Sequence, residues 1–134
     1  MTLAPNPVDV DRFASEVRRV DKPWGYEVIF AHTESYCGKI LFVRVGQQLS
    51  LQYHREKDET IYVQDGRIEL EVGAPGMGTK REVVGAGRAF RLRPGTVHRC
   101  RALEDSVVLE TSTPHLGDVV RLEDAYGRTD RRAE

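Results

Sequence analysis

Two separated stretches carry the side chains best suited to chemistry. The first runs Gly46-Gln-Gln-Leu-Ser-Leu-Gln52-Tyr-His54 and is followed by Glu59 and Gly66. The second is Pro94-Gly95-Thr96-Val97-His98. Gln52, His54, Glu59 and His98 together supply an amide oxygen, two imidazoles and a carboxylate, a donor set that suits one divalent metal ion. No thiolate is among them. Zinc is the first choice, and manganese, iron, cobalt and nickel stay open, because geometry and availability decide more than affinity does. Four donors of this kind leave coordination positions for water or substrate. A metal held this way serves either as a Lewis acid or as the anchor of a ligand site. The alternative is a group of polar side chains with no metal, which a lone histidine would favour and four donors in two motifs do not.

The elements that must position these donors are strands. In Leu49-Ser-Leu-Gln-Tyr-His54, alternation puts Leu49, Leu51 and Tyr53 on one face and Ser50, Gln52 and His54 on the other. Glu59 stands at the start of the next strand and can turn back to the same interior. His98 shares a face with the small residues Cys100 and Ala102, which leave room for its ring. Pro94-Gly95 sets a tight turn ahead of it. From Trp24 onward, short runs of Val, Ile, Leu, Tyr and Phe are broken by Gly, Pro and Asp. Strands are predicted over 25–30, 37–45, 49–54, 60–63, 67–72, 81–84, 89–92, 97–102, 106–112 and 119–122. Punctuation this dense predicts an all-β sandwich or barrel. Asp65-Gly66 marks a hairpin turn. Before the strands, Val10, Phe13, Val17 and Val20 fall at helical spacing, so a short amphipathic helix is expected over 9–20, capped by Asp9 or Asp11. The organisation expected is an arm and helix over 1–20, a barrel over 21–128 and a charged tail over 129–134.

Composition narrows the function classes. The 134 residues suit one domain, and the net charge of −1 leaves no basic excess for nucleic acid. No apolar run approaches the ~20 residues that span a bilayer. The N-terminus lacks a signal peptide's basic start and apolar block, so the cytoplasm is the expected location. Cys37 and Cys100 are too few for a disulfide scaffold and read as small packing residues.

The spacing G-x5-[H/Q]-x-H-x4-E-x6-G resembles the first signature of the cupin superfamily, and Gly46, Gln52, His54, Glu59 and Gly66 match it throughout. Gly87 to His98 is similar to the second signature, G-x5-P-x-G-x2-H, with Arg93 in place of the first proline. Ala102 stands where an Asn is often found. Lys22-Pro-Trp-Gly-Tyr-Glu-Val, Tyr36-Cys, Leu49-Ser-Leu-Gln-Tyr-His and Val120-Arg-Leu-Glu-Asp-Ala-Tyr-Gly-Arg128 resemble the isomerase portion of type II mannose-6-phosphate isomerases. Those are usually fused to a mannose-1-phosphate guanylyltransferase, and no Gly-rich phosphate loop for that activity is present here. The resemblance implies a cupin jelly-roll barrel (a double-stranded β-helix). It also implies Gln52, His54, Glu59 and His98 as metal ligands and a homodimer. The departures lie beside the ligands. Arg55, Glu56 and Thr60 replace neighbouring histidines, Gln48 replaces a basic residue, and Ser112-Thr-Pro114 replaces Gln-Ser-Gly.

An aldose–ketose isomerase moves a proton between C1 and C2 of an open-chain sugar through an enediolate. It needs a Lewis acid, a general base and cations for the phosphate. Glu110, in the apolar run Val107-Val-Leu-Glu-Thr, is the first candidate base, and Lys39 the second. Each has an outward, solvated alternative. Arg121 and Arg128 are the candidate phosphate cations, because a guanidinium grips an oxyanion with two donors. Their alternative is ion pairing with Glu123 and Asp124. Lys57 and Arg99 are backups, His32 and His115 read as solvated, and Trp24 reads as an anchor of the first strand. The expected function is therefore a metal-dependent sugar-phosphate isomerase with a small-molecule partner and no nucleic-acid or membrane partner. A non-catalytic metal- and sugar-binding cupin stays open, as does another small cupin enzyme such as an oxygenase.

Overall fold

The computed structural model describes residues 8–128, so the expected arm before residue 8 and the charged tail over 129–134 lie outside the described residues. Eleven strands follow one another: β1 (Arg18–Lys22), β2 (Gly25–His32), β3 (Cys37–Val43), β4 (Leu51–Tyr53), β5 (Glu59–Asp65), β6 (Arg67–Gly73), β7 (Thr79–Gly85), β8 (Ala89–Leu92), β9 (Val97–Ala102), β10 (Ser106–Ser112) and β11 (Val120–Glu123). They form two antiparallel sheets, ordered β1-β2-β3-β10-β5-β8 and β11-β4-β9-β6-β7. This is the all-β architecture that the strand spacing predicts, in the two-sheet form that the resemblance implies.

The expected helix over 9–20 is not formed. A four-residue 3-10 turn, Val10–Phe13, stands in its place, with Asp9 accepting from the Asp11 N–H as its cap. Residues 18–22 instead pair with β2, from Arg18 opposite Ile29 to Lys22 opposite Gly25. Val10, Phe13 and Val17 are 74%, 76% and 63% exposed, so the apolar stripe meets nothing that would hold it helical. Sheet pairing satisfies the backbone of residues 18–22, and a short helix with no packing face is marginal.

Inward faces carry a gradient that builds the site. Along β5, Val63 and Ile61 are followed by Glu59; along β10, Val108 by Glu110 and Ser112. Along β3, Val43 and Leu41 are followed by Lys39; along β9, Ala102 and Cys100 by His98. Because alternate residues share a face, each strand is apolar at one end of the interior and polar at the other. Trp24, Ile68, Leu70, Val84 and Leu92 complete the apolar cluster. Two glycines fix the turns that set this register. Gly66 joins β5 to β6 at φ +87°, where a Cβ would lie 2.4 Å from Ser106 Oγ. Gly95, at φ +85°, precedes β9, and its N–H donates to the His54 carbonyl at 2.8 Å, tying the two ligand-bearing stretches together.

Candidate metal centre

At the polar end of the interior, His54, Glu59 and His98 converge. One donor atom from each lies within 4.8 Å of the others, and all three residues are buried. His54 Nε2 is 3.3 Å from Glu59 Oε2, and His98 Nε2 is 3.2 Å from Glu59 Oε1. The tautomers follow from the opposite ring nitrogens. His54 Nδ1 faces the Asp118 carbonyl oxygen, and His98 Nδ1 faces the Thr96 carbonyl oxygen at 2.9 Å. A carbonyl only accepts, so each Nδ1 carries the proton and each Nε2 turns a lone pair inward. Both Nε2 atoms are buried without a hydrogen-bond partner. Two lone pairs facing a carboxylate in a buried interior call for a cation between them, and this donor set fits a divalent metal.

Gln52 sits opposite His98 in the β4–β9 pairing and lines the same cavity. Its side-chain oxygen accepts from Ser50 Oγ at 3.0 Å. Cys100 lies beside the cluster, but burial, with the Glu59 and Glu110 carboxylates nearby, pushes its thiol up to about 12. It therefore stays a neutral thiol. Burial also raises the Cys37 thiol, and both cysteines are free.

A cavity of about 90 Å³ opens next to His54, lined also by Trp24, Glu27, Lys39, Gln52, Lys57, Glu110, Leu116, Val119, Arg121 and Arg128. Its charges alternate. Lys22 Nζ is 3.7 Å from Glu27, Lys39 Nζ is 3.4 Å from Glu27 and 4.0 Å from Glu110, and Lys57 Nζ is 2.9 Å from both Glu110 and Glu59. Burial disfavours the Lys57 ammonium, but Glu110 and Glu59 outweigh it and raise its pKa. Burial likewise works against the Glu59 carboxylate, and the Lys57 ammonium at 2.9 Å favours its charged form.

Glu110 and Lys39, the two candidate bases, thus both face the interior, and they are direct cross-strand neighbours. The candidate phosphate cations separate into three situations. Arg121 lies opposite Gln52 on β11, and its Nε is buried with no partner. Arg128 also lines the cavity but donates from Nε and Nη2 to Asp124 at 3.0 and 2.9 Å. Lys57 is buried between two carboxylates. Arg99 is held by Glu71 at 3.0 Å, His32 Nε2 faces the Pro114 carbonyl, and His115 is 3.5 Å from Glu56.

Two residues that the sequence reading does not single out also belong to the site. Glu27 lies within the Lys22-Pro-Trp-Gly-Tyr-Glu-Val run and alternates with Ile29. Asp118 sits in a loop, where no periodicity points to it. Its carboxylate accepts from the N–H groups of Arg55, Glu56 and Lys57 at 3.0, 2.7 and 2.9 Å. Burial would raise this carboxyl, but those three N–H groups hold it below its ordinary value.

The cupin domain profile matches residues 40–115, more than half of the chain. The chain belongs to the cupin family. Among solved structures, this cupin is 27% identical to KdgF from Halomonas sp., with a TM-score of 0.63, covering 75% of this chain and 88% of that one. The capsular polysaccharide assembling protein CapF from Staphylococcus aureus aligns at 15% identity and TM-score 0.69, over 87% of this chain and 35% of CapF. Oxalate decarboxylase from Lactobacillus farciminis aligns at 14% identity and TM-score 0.68, over 87% of this chain and 41% of its own. The latter two share the fold alone, and this chain spans well under half of each. No functionally curated protein matches the sequence. Among the described residues, no helix is long and apolar enough to cross a membrane.

Proposed function

We propose that this cupin is a metal-dependent isomerase of the mannose-6-phosphate isomerase type, interconverting an aldose phosphate and a ketose phosphate. One observation carries the reading. His54 of the metal-ligand cluster, the buried Glu110 carboxylate and Arg121, whose Nε has no hydrogen-bond partner among the described residues, line one cavity. A divalent ion bound there supplies Lewis-acid polarisation of the sugar's carbonyl oxygen. The other roles belong to the chain. Arg121 takes the phosphate, since its Nε already lacks a partner. Arg128 stands behind it with its charge shared by Asp124. Glu110 takes the proton from the carbon next to the carbonyl and returns it to the former carbonyl carbon, while the hydroxyl proton passes from one sugar oxygen to the other. Lys39, between Glu27 and Glu110, stabilises the sugar oxygens as their charge changes. Lys57 holds Glu110 and Glu59 in place, and Leu116 and Val119 wall the cavity from the loop side.

The test is conversion of mannose 6-phosphate to fructose 6-phosphate by protein loaded separately with zinc, manganese, cobalt, nickel or iron. The His98→Ala protein is the control. Turnover that vanishes in the control supports the isomerase. Absence of turnover with every metal, despite confirmed loading, refutes this substrate.

A second reading, a metal- and sugar-binding cupin without turnover, is favoured by the grip on Glu110. Its Oε2 lies 2.9 Å from Lys57 Nζ and 4.0 Å from Lys39 Nζ. The oxygen that would accept a sugar proton is thus already engaged by an ammonium group. Binding of mannose 6-phosphate with no exchange of its C2 hydrogen into solvent would select this reading.

A further inference from the structure

We propose that Asp118 is the positioning residue of the metal centre, fixing the turn that carries His54 and Glu59 and coupling it to the cavity wall. The inference rests on the metal reading of His54, Glu59 and His98.

Residues 54–58 leave β4 and turn into β5 without a strand partner, so their successive N–H groups need acceptors from elsewhere. Asp118 supplies them for Arg55, Glu56 and Lys57. Its Oδ1 accepts from Arg55, and its Oδ2 accepts from both Glu56 and Lys57. Its backbone carbonyl accepts the His54 Nδ1 proton. One residue therefore contacts four consecutive positions between the first imidazole ligand and the carboxylate ligand. The side chain fixes the backbone of the turn, and the main chain fixes the ring and its tautomer. Three converging N–H groups form an anion-binding concavity, here filled by the protein's own carboxylate.

The same loop is tied at its other end. Thr113 donates its N–H to the Asp58 carbonyl at 3.0 Å, and its hydroxyl oxygen accepts from the Asp58 N–H at 3.1 Å. Between these ties, Leu116 projects into the cavity wall, and Val119 follows Asp118 into it. Residues 113–119 thus hold the metal ligands and wall the cavity at once. A change in how the loop sits moves both. Groups that orient metal ligands from outside the coordination sphere typically change metal affinity about 10–100-fold when removed.

The test compares zinc affinity, by chelator competition, for the wild-type chain and for Asp118→Asn, Asp118→Ala and Asp58→Ala. Asn keeps the shape but turns an NH2 group towards backbone donors. Asp58 lies in the same turn, and its carboxylate pairs with Arg91 at 2.6 Å, on the exposed side. Both Asp118 variants are expected to lose about 10–100-fold in zinc affinity, with Asp58→Ala changed by less than about twofold. Wild-type affinity in a folded Asp118→Asn protein overturns the inference alone, even where thermal stability falls. A wild-type chain that binds no zinc overturns the metal reading and this inference with it. Should neither Asp118 variant fold, nitrogen NMR of His54 in the metal-free wild type decides. A proton on Nδ1 supports the clamp, and a proton on Nε2 overturns it.

Discussion

Lys57→Met is the sharpest perturbation the site offers. Lys57 is 4% exposed, and its ammonium lies 2.9 Å from one oxygen of Glu59 and one of Glu110, themselves 3% and 7% exposed. Methionine keeps the length of the side chain and removes its charge. What remains is two buried carboxylates, one with Lys39 at 4.0 Å and the other with only the two imidazoles. Removing one partner of a buried ion pair costs about 3–5 kcal/mol, chiefly because the remaining charge is stranded. At roughly 3–5 °C per kcal/mol for a domain of this length, the metal-free melting temperature should fall by roughly 10–20 °C. The Lys57 ammonium also competes with any metal for Glu59 Oε2, so its loss should tighten zinc binding. Zinc should then raise the melting temperature of the variant by more than that of the wild type. Thermal unfolding followed by circular dichroism, with chelator and with excess zinc, measures both. A metal-free loss below about 1 kcal/mol would refute the buried-pair argument. An equal zinc-induced rise in both proteins would refute the competition at Glu59.

Other expectations follow from the same geometry. Arg121→Gln should raise the KM for a phosphosugar more than Arg128→Gln does, because Asp124 already shares the Arg128 charge; steady-state kinetics of both decides, and the reverse order removes Arg121 from the phosphate role. Glu110→Gln should lower kcat about 10²–10⁴-fold with zinc content unchanged, and a kcat within threefold or so would exclude Glu110 as the base. Acid stability should reflect carboxyls held below their ordinary values: Glu71, where burial is outweighed by Thr79 and Arg99, and Asp124, held chiefly by Arg128. A depressed pKa adds stability that is present above the unfolded value near 4 and is lost as pH falls through the folded one. The melting temperature should therefore fall below about pH 4, and the deficit of Asp124→Asn relative to wild type should shrink there. A deficit constant from pH 6 to 3 would contradict the assignment.

The parts of the fold legible in the sequence are those with a short period or a fixed turn. Alternation along β9 and β10 places His98 with Cys100 and Glu110 with Val108, and strand bounds there coincide with the expected ones. Asp65-Gly66 reads as the hairpin it forms, because only glycine tolerates both the positive φ and the approach of Ser106. The spacing of Gln52, His54, Glu59 and His98 conveys a donor set because the strands repeat every two residues. Residues 9–20 mislead for a physical reason. Val10, Phe13, Val17 and Val20 satisfy a helical period, but pairing of β1 with β2 is a tertiary choice that periodicity does not express. Asp118 and the ladder from Lys22 to Glu59 are equally illegible. Asp118 acts through backbone N–H groups sixty or so positions away, and Lys57, in a loop, reads like any solvated lysine until Glu59 and Glu110 close around it.

Anomalous diffraction at the zinc edge, from crystals grown with zinc, tests the metal centre most directly. One strong peak is expected, enclosed by His54 Nε2, His98 Nε2 and the Glu59 carboxylate and open towards the cavity that Arg121 and Glu110 line. A peak elsewhere, or an interior in which Lys57 still occupies Glu59 and no metal enters at saturating zinc, would contradict the metal centre and the isomerase chemistry built on it.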